Sequence, residues 1–207
     1  MIKDVRAFFV EEPKSARALL KAIDLNFPLS ECKYVDLNEH TTLKELEKSF
    51  KELGHQDMAI ISEAGYPCVA DPGANLVRLV HKAGGEVIPL AGASSIILAL
   101  AASGLNGQNF AFNGYLPKDK EHRYTKIRTL EQRSRKETQT QIFMETPYRN
   151  QNLLEDLLTV CQAETQLCIA CDITGPSQMI KTFSVSQWKH KAITLPKQPT
   201  LFLLLYI

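Results

Sequence analysis

The sequence lacks several features that would have settled its class at once. No apolar run reaches the roughly 18 to 20 residues needed to span a bilayer, and the longest candidate near the end, Leu201–Ile207, has seven. The N-terminus lacks the basic, apolar and small-residue regions of a signal peptide, so a cytoplasmic address is the default expectation. Charge of one sign is also missing: 24 Lys and Arg stand against 23 Asp and Glu, for a net charge of +1. That balance gives no global footprint of nucleic-acid binding. Five cysteines (Cys32, Cys68, Cys161, Cys168 and Cys171) form no even, regularly spaced framework. Cys168 and Cys171 make a CxxC, but inside an apolar run and without the second ligand pair of a zinc site, so they read as small hydrophobes of a buried strand. Neither GxxxxGK[ST] nor a GxGxxG after a strand is present. This weighs against a nucleotide hydrolase or a dehydrogenase.

What is there is a rhythm. Val5–Val10 (VRAFFV) is a β-branched and aromatic run without strict alternation, as expected of a strand buried on both faces. A helix from Ser15 follows, with Ala18, Leu19, Ala22 and Ile23 on one side. Tyr34–Leu37 reads as a second strand, and Thr41 or Thr42 with Glu45 resembles a capping box opening a helix that runs to Leu53. Met58–Ser62 is the next buried strand, followed by a helix over about 74–83, a strand Glu86–Leu90 and a helix over about 96–103. Strands alternating with helices indicate a parallel α/β sheet, and the first domain is placed at 1–108.

After Gly107 the rhythm changes. Phe110–Asn113 and Thr140–Glu145 read as strands around a basic helix, Glu121–Arg135. Asn150–Cys161 reads as a helix, and Gln166–Ile173, Ile180–Val185 and Thr200–Ile207 as strands with few helices between them. Hairpins and a mixed sheet are expected in this second domain, 109–207. Between Lys118 and Lys136 eight Lys and Arg face three Asp and Glu, a local excess of +5. Such a segment is either a solvated helix face or a site for an anionic substrate.

Three loops after strands are rich in small residues and proline: Ser62–Gly73 (SEAGYPCVADPG), Pro89–Ser95 (PLAGASS) and Glu145–Arg149 (ETPYR). Ligands of open α/β sheets bind beyond the carboxyl ends of the strands, and small residues let backbone approach them closely. One such loop is an ordinary tight turn; three at successive strand ends point to a ligand crevice. A carboxylate such as Glu63 suits hydroxyls or an ammonium group better than phosphate. S-adenosylmethionine offers both, in its ribose and its methionine end.

ISEAGYPCVADPG, VIPLAGASSIILALAASGL, FAFNGYLPK and IFMETPYR, in this order and spacing, closely resemble the tetrapyrrole (corrin/porphyrin) methylase superfamily. Within it the nearest group is the bacterial enzymes that 2′-O-methylate a cytidine of 16S ribosomal RNA. The resemblance runs from about Val5 to Ile173. It implies two α/β domains, a parallel-sheet N-terminal one and a mixed-sheet C-terminal one, with S-adenosyl-L-methionine in the cleft between them and a homodimer as the usual assembly. Carried over by motif, Glu63, Ala64, Gly65, Tyr66 and Pro67 would line the cofactor and Asp71 would shape their loop. Gly92, Ser94 and Ser95 would offer small side chains and helix-end amides, Gly114, Tyr115, Glu145 and Thr146 would close the cleft, and Ala170 or Cys171 would flank the adenine.

Departures from the family pattern lie at Glu63, where aspartate is usual, at Ala91–Ser94 in place of P-G-P-S, and at Tyr148, where the ribosomal RNA enzymes usually have histidine. The family's opening strand–helix unit is expected to be missing ahead of Val5, and the tail differs. If the acceptor is a ribose hydroxyl, a base is useful, and Glu145 is the candidate; alternatively it binds cofactor or caps Pro147–Arg149. Lys118, Lys120, Arg123 and Arg149 would hold phosphates of ribosomal RNA or the small ribosomal subunit. No membrane partner and no metal are expected. The other readings are a C-methyltransferase acting on an anionic tetrapyrrole, and a non-catalytic scaffold derived from the fold.

Overall fold

The computed structural model describes residues 2–207. The chain divides into two compact units, one ending at Ala93 and one running from Ser94 to Ile207.

In the first unit, β1 (Ala7–Val10) lies at the centre of a three-stranded parallel sheet, between β2 (Lys33–Asp36) and β3 (Met58–Ile61). Every residue of β1 is buried, as the unbroken apolar run predicts. Phe8 packs with Ala16, Leu20 and Phe27 on one face. On the other, Phe9 packs with Leu37, Leu46, Leu53 and Leu76. Burial of each ring contributes roughly 1.5 to 3 kcal/mol.

Helix α1 (Pro13–Ile23) begins with Pro13 in its first turn and Glu12 as its cap. It buries Ala16 and Leu20 rather than the expected face, because that is the stripe facing β1 and β2; Leu19 and Ile23 are exposed. Helix α2 (Leu43–Leu53) opens with the full capping box: the Thr42 hydroxyl accepts the Glu45 N–H, and the Glu45 carboxylate accepts the Thr42 N–H. Helix α3 (Ala74–Lys82) packs on α2.

The strand expected at Glu86–Leu90 does not form. Among the described residues, positions 86–93 make no backbone–backbone hydrogen bond and all are exposed, Val87, Ile88 and Leu90 included. A strand exists only by virtue of a ladder. Among the described residues β3 is paired on one side only, by β1; Pro89 could not donate to a ladder in any case.

The second unit opens with α4 (Ser95–Ser103), which the sequence reading placed in the first domain. It packs instead on β6, β7 and β8, burying Ile96, Ala99 and Leu100. The sheet has five strands in the order β4 (Phe110–Tyr115), β5 (Thr140–Glu145), β8 (Thr200–Leu205), β6 (Gln166–Cys171) and β7 (Met179–Ser184). β4 and β5 are parallel and the other pairs antiparallel, which is the mixed sheet with a hairpin that was expected.

Helices α5 (Lys120–Glu137), α6 (Asn150–Val160) and α7 (Val185–Lys189) supply the remaining helical packing. The last of these was not anticipated, although Ser184 and Gln187 form its capping box. One face of the sheet builds a core from Ile127, Leu130, Phe143, Leu157, Phe202 and Trp188, whose indole N–H donates to the Leu167 carbonyl at 2.7 Å. Cys168 and Cys171 are buried in β6 as small hydrophobes, and burial raises the Cys168 thiol pKa. The protein is thus an α/β fold with one parallel and one mixed sheet. No described helix is long and apolar enough to cross a membrane, and no group of three or more possible metal-binding side chains occurs among the described residues.

Candidate functional site

In the first unit the chemistry gathers beyond the carboxyl ends of β1 and β3. Glu11 directly follows β1 and Glu63 lies two residues after β3. The Glu63 N–H donates to the Glu11 carboxylate at 2.8 Å, and the Ser15 hydroxyl donates to the Glu63 carboxylate at 3.1 Å. Asp71 belongs to the same group: burial, then the charge of Glu11, pushes its carboxyl pKa above the ordinary value. Glu11 and Ser15 were not singled out in the sequence, although a carboxylate at a strand end is the same signal that marked Glu63.

The loop that carries these groups is tightly wound. Gly65, Cys68, Ala70 and Gly73 all have positive φ, a region that costs an L side chain energy. At Gly73 (φ 135°) a Cβ would also meet the Cys68 sulfur at 2.6 Å, so only glycine fits. Tyr66 ties the loop to the 86–93 segment, its hydroxyl donating to the Leu90 carbonyl at 2.7 Å while its ring edge passes 3.8 Å from where a Cβ on Gly92 would lie. Glu63, Ala64, Gly65 and Gly92 are exposed; Tyr66, Pro67 and Asp71 are half-buried.

In the second unit Ser94 caps α4 without a side-chain hydrogen bond, and Ser95 is exposed at its first turn. Gly114 takes a positive φ of 63° where β4 slips register against β5, and Tyr115 is exposed beside it. Glu145, at the end of β5, is buried. Its carboxylate accepts the Thr146 N–H at 2.6 Å and pairs with Arg149, whose Nε also reaches the Thr146 hydroxyl at 3.3 Å. Glu145 and Arg149 therefore hold the ETPYR loop through each other. Ala170 and Cys171 are fully buried within β6, Ala170 in the core beneath α4.

The expected phosphate-binding cations divide. Lys118 and Lys120 are exposed, Lys120 lying 5.5 Å from the Tyr124 ring centroid. Arg123 is not free: it is ion-paired with Asp156 at 2.6 Å, both side chains nearly buried, and donates to the Pro117 and Lys118 carbonyls. Asp156 sits 33 residues away on α6, beyond any local sequence pattern.

The family model for tetrapyrrole (corrin/porphyrin) methylases matches residues 1–188. The chain belongs to that family. Among its relatives, the ribosomal RNA small subunit methyltransferase I of Pseudomonas aeruginosa is 28% identical over 90% of this chain and 64% of its own length. Proteins of the same name from Vibrio cholerae (37% identical, 66% of this chain and 46% of theirs) and Synechocystis (32%, 84% and 59%) also match. The chain thus spans about half to two thirds of the length of these relatives. In fold it is similar to the methyltransferase CobJ, with a TM-score of 0.60 at 18% identity over 98% of this chain and 84% of that one. Uroporphyrin-III-C-methyltransferase from Thermus thermophilus is similar at a TM-score of 0.50, with 18% identity over 99% and 84% of the two chains.

Proposed function

We propose that this protein binds S-adenosyl-L-methionine and transfers its methyl group to a ribose 2′-hydroxyl of small-subunit ribosomal RNA, as a cytoplasmic homodimer. The observation that carries the cofactor reading is the group of Glu11, Glu63 and Asp71 beyond β1 and β3. Glu11 accepts the Glu63 N–H, and its charge adds to burial in raising the Asp71 pKa, so carboxylate acceptors stand at the ends of β1 and β3 for a ligand that bears hydroxyls or positive charge. S-adenosylmethionine is such a ligand, with a sulfonium, an ammonium group and ribose hydroxyls. The residues present fit it: Glu63 and Asp71 would accept from its hydroxyls or ammonium, and the small side chains of Ala64, Gly65 and Gly92 leave backbone accessible.

When bound, S-adenosylmethionine supplies an electrophilic methyl group on a sulfonium. The chain's own part is to orient the reactants and exclude water. Glu145 contributes by fixing the ETPYR loop; use as a base would require it to leave Arg149. The ribosomal RNA acceptor rests on the relatives' names and on the exposed cations Lys118 and Lys120. The homodimer is supported by the apolar outer face of α4, where Ile97 and Leu98 are exposed.

Isothermal titration of S-adenosylmethionine and S-adenosylhomocysteine into the chain tests the reading. Micromolar binding of both is expected, with Glu63→Gln weakening it roughly tenfold as a charge-assisted hydrogen bond is lost. Methyl transfer to small ribosomal subunits would then support the RNA acceptor, and transfer to a tetrapyrrole alone would replace it. A folded chain that binds neither ligand would overturn the enzyme reading in favour of a scaffold.

A further inference from the structure

We infer that Tyr148 is a stacking platform for an unpaired nucleobase of the acceptor, an inference that rests on the ribosomal RNA reading above. The side chain is 81% exposed, on a loop whose other members are held down. On one side Glu145 is buried and paired with Arg149, and the Arg149 N–H returns to the Thr146 carbonyl at 2.9 Å. On the other, the Asn150 amide donates to the Gln198 carbonyl at 2.7 Å and to the Thr200 hydroxyl at 3.0 Å, while the Gln151 side chain accepts the Leu195 N–H at 3.0 Å. These bonds stitch the 195–198 segment to the start of α6. They bring the Lys197 ammonium to 5.4 Å from the Tyr148 ring centroid.

The result is an open aromatic ring on an anchored loop, with a cation beside it that has no carboxylate partner among the described residues. Nothing in the packing of the unit needs that ring. Its chemistry matches a base–phosphate unit: the ring offers a π-face to any base, and the ammonium offers charge to the adjoining phosphate. An unpaired nucleotide is the kind of RNA that proteins splay out and stack on aromatic side chains. A second copy of the chain is the competing occupant, but a lone tyrosine beside an uncompensated lysine is poorly suited to a self-complementary apolar contact.

The test is binding of a short single-stranded RNA carrying one 2-aminopurine, followed by fluorescence quenching and by titration at several salt concentrations. Tyr148→Ala is expected to weaken binding roughly tenfold and abolish the stacking quench. Tyr148→Phe should keep both within about twofold, since the ring and not the hydroxyl is used. Lys197→Ala should lower the salt slope by about one. Equal affinity and equal quenching in Tyr148→Ala would overturn the inference while leaving the RNA reading intact. Loss of dimer in sedimentation with unchanged RNA affinity would overturn it in favour of a subunit contact. No RNA binding by the parent chain at low salt would overturn both.

Discussion

The two sheets of this protein are built to different depths. In the second unit β8 is buried along its whole length and β6 nearly so, with an apolar core on each face. In the first unit only β1 is fully buried. Its neighbours are half-buried or exposed, and Leu19, Ile23, Leu25, Val87, Ile88 and Leu90 face solvent. A sheet of three parallel strands has one interior strand, whereas five strands give three. The difference shows that burial of a strand is a property of its neighbours as much as of its own residues: MAII in β3 is as apolar as β6 yet reaches only half burial. Local stability follows contact density, so the first unit should be the weaker one, and it is the unit that carries the acidic group.

The largest test of this asymmetry is Phe9→Ala. It removes a fully buried ring from the only interior strand of the first unit and should cost about 3 to 5 kcal/mol. Because the chain has a single tryptophan, Trp188, and it lies in the second core, the two units can be watched separately. Far-UV circular dichroism should show early loss of part of the structure while Trp188 fluorescence holds. Loss of both signals together would mean that the units unfold as one.

A comparable blow to the stronger unit is Asp156→Ala. It strands the Arg123 guanidinium in a nearly buried position, and breaking such a pair typically costs about 3 kcal/mol. Here the Trp188 transition should move to lower denaturant, and a midpoint unchanged from the parent would show that solvent screens the pair.

The smallest effect sharpens the comparison through pH. The Asp71 pKa is raised in the folded state by burial and by Glu11, so the native unit holds this proton more tightly than the unfolded chain does. Its contribution to stability is therefore present below the ordinary carboxylate value and is lost as pH rises through the raised one. Asp71→Asn should remove that slope and leave the variant slightly more stable near neutrality, by under about 1 kcal/mol because solvent still screens the half-buried group. Denaturant titrations of both proteins across the acid range would show it; parallel pH curves would sink the claim.

Local signals in the sequence carried much of this structure. VRAFFV names a doubly buried strand, Thr42 and Glu45 name a capped helix, and the loops Ser62–Gly73 and Glu145–Arg149 mark the ends of β3 and β5, whereas Pro89–Ser95 follows no strand. What was not legible is what depends on distant partners. Glu86–Leu90 has strand composition but no ladder. Helix α4 is apolar all round, so its pattern could not say which sheet it would cover. Arg123 reads as a free cation until Asp156 is found against it. The stacking ring of Tyr148 likewise depends on Lys197 arriving from nearly fifty residues downstream.

The stretch 86–93, held by no backbone–backbone hydrogen bond among the described residues, also sets where the polypeptide is open to cutting. A protease needs an accessible backbone that does not first have to be pulled from a helix or sheet, and this stretch is exposed and belongs to neither. It ends where the second unit begins. A single cut there would release a piece that keeps its five strands and both of its cores, so the seam by which the molecule comes apart is written into the one strand-like segment that found no sheet.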